Sequence, residues 1–190
     1  NINNTTTGSA GGYGDYTAQS ASNYNGFTTN ITLTPNSSTH YYYCWIDWNN
    51  DYDFNDANET IFATTTLASS YAGVINIPTG TPSGSYRMRV ALSKTTITSC
   101  GNATSGGEYE DYTFNVIPIP PCSGTPSGGT TSLSPASGAP SSTFTASVTG
   151  STIATDLTYQ WESAPSATGP WSDVVGATSA TSNITSINTV

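Results

Sequence analysis

Tyr86-Arg87-Met88-Arg89-Val90-Ala91-Leu92 decides the fold class. Successive side chains of an extended strand point to opposite faces. Tyr86, Met88, Val90 and Leu92 therefore share one face, and Arg87 and Arg89 take the other. Tyr112-Thr113-Phe114-Asn115-Val116 repeats the pattern, with its apolar residues at every second position. One buried and one wetted face per strand is the pattern of an antiparallel sandwich.

Further strands are expected at Tyr13–Ala18, Gly26–Leu33, His40–Trp48, Ile61–Thr66 and Ser70–Ile77, with the two already quoted at Ser85–Leu92 and Tyr109–Val116. Turn residues divide them, as in Pro78-Thr79-Gly80-Thr81-Pro82-Ser83-Gly84. No long stretch shows a clean 3.6-residue period, so the chain reads as all-β. Ile117-Pro118-Ile119-Pro120-Pro121 favours extended polyproline conformation and marks a linker at residues 117–121. It separates a sandwich at residues 1–116 from a second module at residues 122–190. The second module is expected to have strands at Ser142–Thr149, Leu157–Glu162 and Trp171–Val175, with Trp161 as core anchor. At about 69 residues it is short for a self-sufficient sandwich, and Asn183–Val190 reads as a strand cut off midway. The expectation is two tandem antiparallel β-sandwich modules of jelly-roll or Ig-like type, the second incomplete.

Of the 190 residues only 8% are charged, while Ser and Thr make up roughly a third. The net charge of −9 argues against nucleic acid and against anionic membranes, which both need basic surface. No apolar run approaches the ~18 residues of a membrane span. The chain begins at Asn1 without Met, which reads as a processed or excised piece. Three cysteines in an acidic, Lys-poor, β-rich chain suggest an oxidising, extracellular setting.

Eight of the twelve acidic residues fall in two blocks, Asp47–Glu59 and Glu108–Asp111. Against them stand three basic residues, Arg87, Arg89 and Lys94. Crowded carboxylates without cations repel one another, and a hard cation with oxygen ligands relieves this, calcium above all outside the cell. A calcium loop started at Asp47 places Asp47, Asn49, Asp51, Asp53 and Asn55 at alternate positions, as in an EF-hand. Tyr52 stands where that loop needs Gly, and Asn58 rather than Glu59 falls at its last position. The expectation is instead a loop between strands, closed by Asp56 or Glu59. Glu108, Glu110 and Asp111 are further candidate ligands. Glu108 and Glu110 share a strand face and Asp111 points away, so only one face meets a metal directly. The competing role for Glu110 or Asp111 is capping backbone amides or pairing with Arg87 or Arg89. Asp15 is a further candidate, with a purely structural Gly12–Asp15 turn as the competing reading.

Cys100-Gly101-Asn102-Ala103-Thr104-Ser105-Gly106-Gly107-Glu108-Tyr109-Glu110-Asp111-Tyr112-Thr113-Phe114 resembles the signature of the GEVED domain, an accessory module of large secreted and surface proteins of Bacteroidetes-type bacteria. Gly12-Tyr13-Gly14-Asp15-Tyr16-Thr17, Trp45-Ile46-Asp47-Trp48-Asn49-Asn50-Asp51-Tyr52-Asp53-Phe54-Asn55-Asp56 and Arg87-Met88-Arg89-Val90 resemble its other elements, in the same order. Tyr52 departs from the family's usual Gly. Thr158-Tyr159-Gln160-Trp161 and Gly176-Ala177-Thr178-Ser179-Ala180-Thr181 are similar to Ig-like repeats of the same proteins. The resemblance implies secretion, by the type IX route, and a modular non-catalytic role. It points to a structural or adhesive module, fibre-forming in one version, with a carbohydrate-binding module of an adhesin or secreted hydrolase as the alternative.

A Cys44–Cys100 disulfide would hold the two acidic blocks together and contribute roughly 4 kcal/mol in the chain-entropy model. Cys100–Cys122 is the rival connectivity, and an odd count leaves one thiol over. Tyr41, Tyr42, Tyr43, Trp45 and Trp48 are either a sugar platform or sandwich filling, the commoner fate of such aromatics. One histidine, His40, makes no triad, and the acidic residues sit in candidate metal loops, so no enzyme is expected. Sequons at Asn30, Asn36 and Asn102 are expected by chance in so Thr-rich a chain. A sandwich with an unfilled edge invites self-association or strand exchange with a neighbouring chain.

Overall fold

The computed structural model describes residues 2–5, 8–36, 38–101, 106–139 and 141–185. It is all-β and divides into two units, Asn1–Pro118 and Ile119–Val190, so the division falls inside the proline-rich run. The first unit contains β1 (Tyr13–Tyr24), β2 (Thr28–Leu33), β3 (Tyr41–Ile46), β4 (Thr60–Ala63), β5 (Tyr71–Asn76), β6 (Gly84–Ser93) and β7 (Glu108–Ile117). These match the expected strands to within a few residues, apart from β1, which runs on to Tyr24. β2 starts at Thr28 because Gly26, at φ +76°, sits in the turn before it.

Five strands form one sheet in the order β1-β7-β6-β3-β4, and β2 pairs with β5 in a second. The alternating Tyr86–Leu92 run is the middle of the larger sheet, antiparallel to both β3 and β7. β1 instead runs parallel to β7, with a register shift between Asp15 and Ser20. The sheet is therefore mixed, where antiparallel pairing throughout was expected. The chain between β1 and β7 passes through both sheets, and a long crossover permits parallel pairing.

The inner faces meet in one cluster of Cys44, Ile46, Ile75, Ile77, Tyr86, Met88, Val90, Tyr112, Phe114 and Val116, with Ile31 and Leu33 against it. The expected face of Tyr86, Met88 and Val90 is thus the core face. The other face is not simply wetted. Tyr43, Trp45, Phe54, Ala91 and Tyr109 form a second buried cluster there, with the Trp45 ring 5.3 Å from that of Tyr43 and 6.4 Å from that of Tyr109. The continuous run Tyr42-Tyr43-Cys44-Trp45-Ile46 explains it, since apolar residues at both phases make a strand buried on both sides.

In the second unit β8 (Thr130–Ser134), β9 (Thr143–Thr149) and β12 (Thr181–Thr185) form a three-stranded sheet in the order β12-β9-β8. β10 (Glu162–Ser163) and β11 (Ser172–Asp173) form a two-residue ladder. The strands expected at Leu157–Glu162 and Trp171–Val175 shrink to these pairs, and Trp171 and Val175 are exposed. Trp161 is half-buried, with its indole N–H on Ser179 O at 2.9 Å. Few apolar side chains are available here to cover a longer ladder: Phe144, Ala146 and Ala177 are the buried ones among the described residues. The end of the Asn183–Val190 run and the Asn102 sequon lie outside the described residues.

Candidate functional site

The Asp47–Glu59 loop connects β3 to β4, and buried carboxylates at its two ends organise it. Asp47 is 2% exposed and Glu59 is 1% exposed. Asp47 accepts the backbone N–H of Asp51 at 3.2 Å and of Tyr52 at 3.0 Å. Glu59 accepts those of Trp48 at 2.9 Å and Asp56 at 3.2 Å. Burial raises the Glu59 carboxyl above its ordinary range, against the pull of those two donors. Asp47 and Glu59, both expected as metal ligands, are spent on satisfying loop amides that would otherwise be orphaned.

Between them Asn49, Asp51 and Asp53 each accept the N–H two residues on, at 3.0, 3.1 and 2.8 Å. This chain of turns folds the segment back on itself. It brings one carboxylate oxygen each from Asp51, Asp53 and Asp56 within 4.8 Å of one another. The Asn49 amide nitrogen donates into the same cluster, to Asp51 Oδ2 at 3.0 Å and Asp56 Oδ2 at 2.6 Å. The N–H of Asp53, and then the Asn49 amide, hold the Asp51 carboxyl below its ordinary range. Three carboxylates and an amide are the hard oxygen donors that suit calcium. Of the expected metal set, the fold gathers Asp51, Asp53, Asp56 and Asn49.

The second acidic block lies elsewhere and is itself divided. Asp111 takes the outer face, where Arg89 Nε donates to Oδ1 at 2.7 Å and Nη2 to Oδ2 at 2.8 Å. The Tyr13 hydroxyl donates to Oδ2 at 3.0 Å, and Arg87 lies 3.8 Å away. Glu108 and Glu110 take the inner phase: Glu108 accepts the Ser9 N–H and Glu110 the Tyr112 hydroxyl. Asp111 is therefore an ion-pair partner, and neither glutamate belongs to the aspartate cluster. Asp15 accepts the N–H and hydroxyl of Thr17, a local turn that lowers its carboxyl.

Arg89, expected only as a pairing partner for Glu110 or Asp111, also reaches the acidic loop. Its guanidinium lies 5.2 Å from the Phe54 ring centroid, 5.7 Å from Tyr109 and 5.9 Å from Tyr13, and Nη1 donates to Ser99 O at 2.8 Å. Phe54 sits inside the acidic loop, so Arg89 and Asp111 anchor that loop to the sheet. The usable signal was an arginine on an apolar strand, facing a loop with one phenylalanine among aspartates.

The proposed Cys44–Cys100 bridge is not formed. Cys44 is buried in the inner cluster and Cys100 is exposed beside the outer face, where the preceding Ser99 meets Arg89. All three cysteines are free thiols. Tyr42, Tyr43 and Trp45 are buried, and Tyr41 and Trp48 half-buried, so this aromatic row is filling rather than a surface platform. His40 is buried, with Nε2 3.2 Å from Gly106 O.

Residues 41–115 match the family model of the GEVED domain. The match contains the acidic loop, Arg89 and Asp111, and leaves the Gly12–Thr17 element outside. Comparison with curated proteins gives no match.

Proposed function

We propose that the first unit is a non-catalytic, calcium-stabilised structural or adhesive module of a larger secreted or cell-surface protein. The convergence of Asp51, Asp53 and Asp56 within 4.8 Å carries this reading. Arg87 and Arg89, two of the chain's three basic side chains, are turned to Asp111 and leave the cluster's charge to be met from outside. Calcium would be held by Asp51, Asp53, Asp56 and, with its amide turned over, Asn49 Oδ1. Bound there, it would neutralise the cluster and tie the loop shut.

Burial of the aromatic row supports the spacer over a carbohydrate-binding module. The carbohydrate alternative keeps one observation, the 83% exposure of Tyr52 between Asp51 and Asp53. Thermal melting of the full chain in calcium and in excess EDTA tests the reading. Extracellular modules bind calcium with Kd of ~10⁻⁴–10⁻³ M. At ten times Kd the stabilisation is about 1.4 kcal/mol, a rise in Tm of several degrees. Identical melting curves would remove calcium from the account.

A further inference from the structure

A trough of about 680 Å³ opens on the inner side of the first unit, within the size range of ordinary ligand sites. Its floor is the inner face of β6 and β7, with Met88, Val90 and Leu92 beside Glu108, Glu110 and Tyr112. One wall is the segment Ile2–Thr5 with Gly8 and Ser9. The other wall is made by residues 29–36 in unbroken succession. Side chains of both phases cannot line one groove from a strand's face, so β2 presents its edge. Among the described residues no second strand pairs with that edge, where the Asn23 side chain donates to Thr28 O at 2.8 Å and the backbone of Asn30 and Thr32 turns away from β5. Every second residue of an antiparallel strand turns its N–H and C=O to the side away from its partner. The trough is therefore a slot bounded by backbone donors and acceptors above a floor of apolar side chains flanked by Glu108 and Glu110.

The walls also say which chain fits. Glu108 and Glu110 stand in the trough, and no Lys or Arg lines it among the described residues. A second copy of this acidic chain is a poor occupant. Arg87 and Arg89 face Asp111, leaving Lys94 as its other basic side chain. We propose that the trough accepts an extended, alternating apolar peptide strand carrying a lysine or arginine. The strand adds to the free edge of β2 and brings its cation to Glu108. Backbone bonds to β2 supply affinity, and the cation and alternate apolar side chains supply selectivity. This inference stands apart from the calcium reading, because no aspartate of the loop takes part.

The full chain is titrated with a short capped peptide of alternating valine and threonine that carries one lysine. Comparison peptides replace the lysine by glutamate, or are N-methylated at alternate amides in either of the two phases. The lysine peptide is expected to bind roughly tenfold tighter than the glutamate peptide. N-methylation in one phase abolishes binding and in the other is tolerated, and amide exchange slows along Thr28–Leu33. Glu108→Gln shrinks the lysine preference severalfold. Absence of saturable binding, or equal tolerance of both N-methylation phases, overturns the proposal. Concentration-dependent dimerisation that protects β2 without peptide overturns it in favour of a second copy.

Discussion

Arg89 grips Asp111 across adjacent strands through two hydrogen bonds of 2.7 and 2.8 Å, and the guanidinium also covers the ring of Phe54, which rises from the acidic loop. Strand register makes the pair, since Arg89 lies directly opposite Asp111 on β7. Both side chains are largely out of water, at 15% and 1% exposure. Removing one partner of such a pair leaves a buried charge without its two-bond partner, and Arg87, 3.8 Å from Asp111 and half-exposed, replaces Arg89 only in part. Arg89→Met or Asp111→Ala is therefore expected to cost about 3–5 kcal/mol in urea unfolding. The Arg89→Met/Asp111→Leu double variant recovers a large part, because apolar neighbours already surround the site. A loss below ~1 kcal/mol in either single variant would make the pair incidental.

Within the acidic loop the carboxylates divide by job, and substitution separates them. Asp51→Asn removes a negative charge from the cluster while keeping a side-chain acceptor for the Asp53 N–H. It is expected to abolish calcium stabilisation and leave metal-free Tm level or higher. Asp47→Ala strands the N–H groups of Asp51 and Tyr52 and costs roughly 1–3 kcal/mol with or without calcium. If both variants lowered Tm alike in EDTA, the division of roles would be wrong.

Period-two patterning was enough to place β6 and β7, because Tyr86, Met88 and Val90 on one and Tyr112, Phe114 and Val116 on the other are buried at alternate positions. The outer cluster was less legible. Its members come from β3, β6, β7 and the Phe54 loop, and nothing local in Tyr43 or Phe54 states that they meet. The acidic loop was legible as alternating oxygen donors. Asp47 and Glu59 read as ligands because spacing reports which residues are near, not which amides need an acceptor. Asp111 turned out to follow the alternative of pairing with arginine, a choice made by cross-strand register, which no single strand encodes. The parallel β1–β7 pair had no local signal either, since a strand's sequence does not fix its partner's direction.

Burial of Cys44 between the sheets pushes its thiol well above its usual range. Thiol reagents are expected to modify Cys100 and Cys122 quickly in the native protein, and Cys44 at the unfolding rate. The same shift carries a pH signature. The folded state keeps the Cys44 proton, while the unfolded thiol releases it above about pH 8.5. Protons bound then favour the folded side, so stability is level below that pH and falls as pH rises, by at most ~1.4 kcal/mol per unit from this group. Cys44→Ala should flatten the decline between pH 8.5 and the onset of tyrosine ionisation near 10, as followed by urea unfolding at each pH. An unchanged slope would assign the decline to other groups.

Tyr52 occupies a left-handed backbone position, φ +75°, with its side chain 83% exposed. A Cβ is disfavoured there by about 1–2 kcal/mol, and glycine is not, although glycine gives back roughly 0.5–1 kcal/mol through the flexibility of the unfolded chain. The ring is largely in water and has little packing to lose. Tyr52→Gly is therefore expected to stabilise the protein by up to about 1 kcal/mol in urea unfolding, and calcium to bind at least as tightly to the relaxed loop. Asn50 and Asn58, also left-handed at φ +59° and +70°, should gain less from the same change, because asparagine tolerates this region. A destabilised Tyr52→Gly variant would mean that the exposed ring holds the loop by contacts of its own. Loss of glycan binding on that substitution would shift the balance from spacer to carbohydrate-binding module.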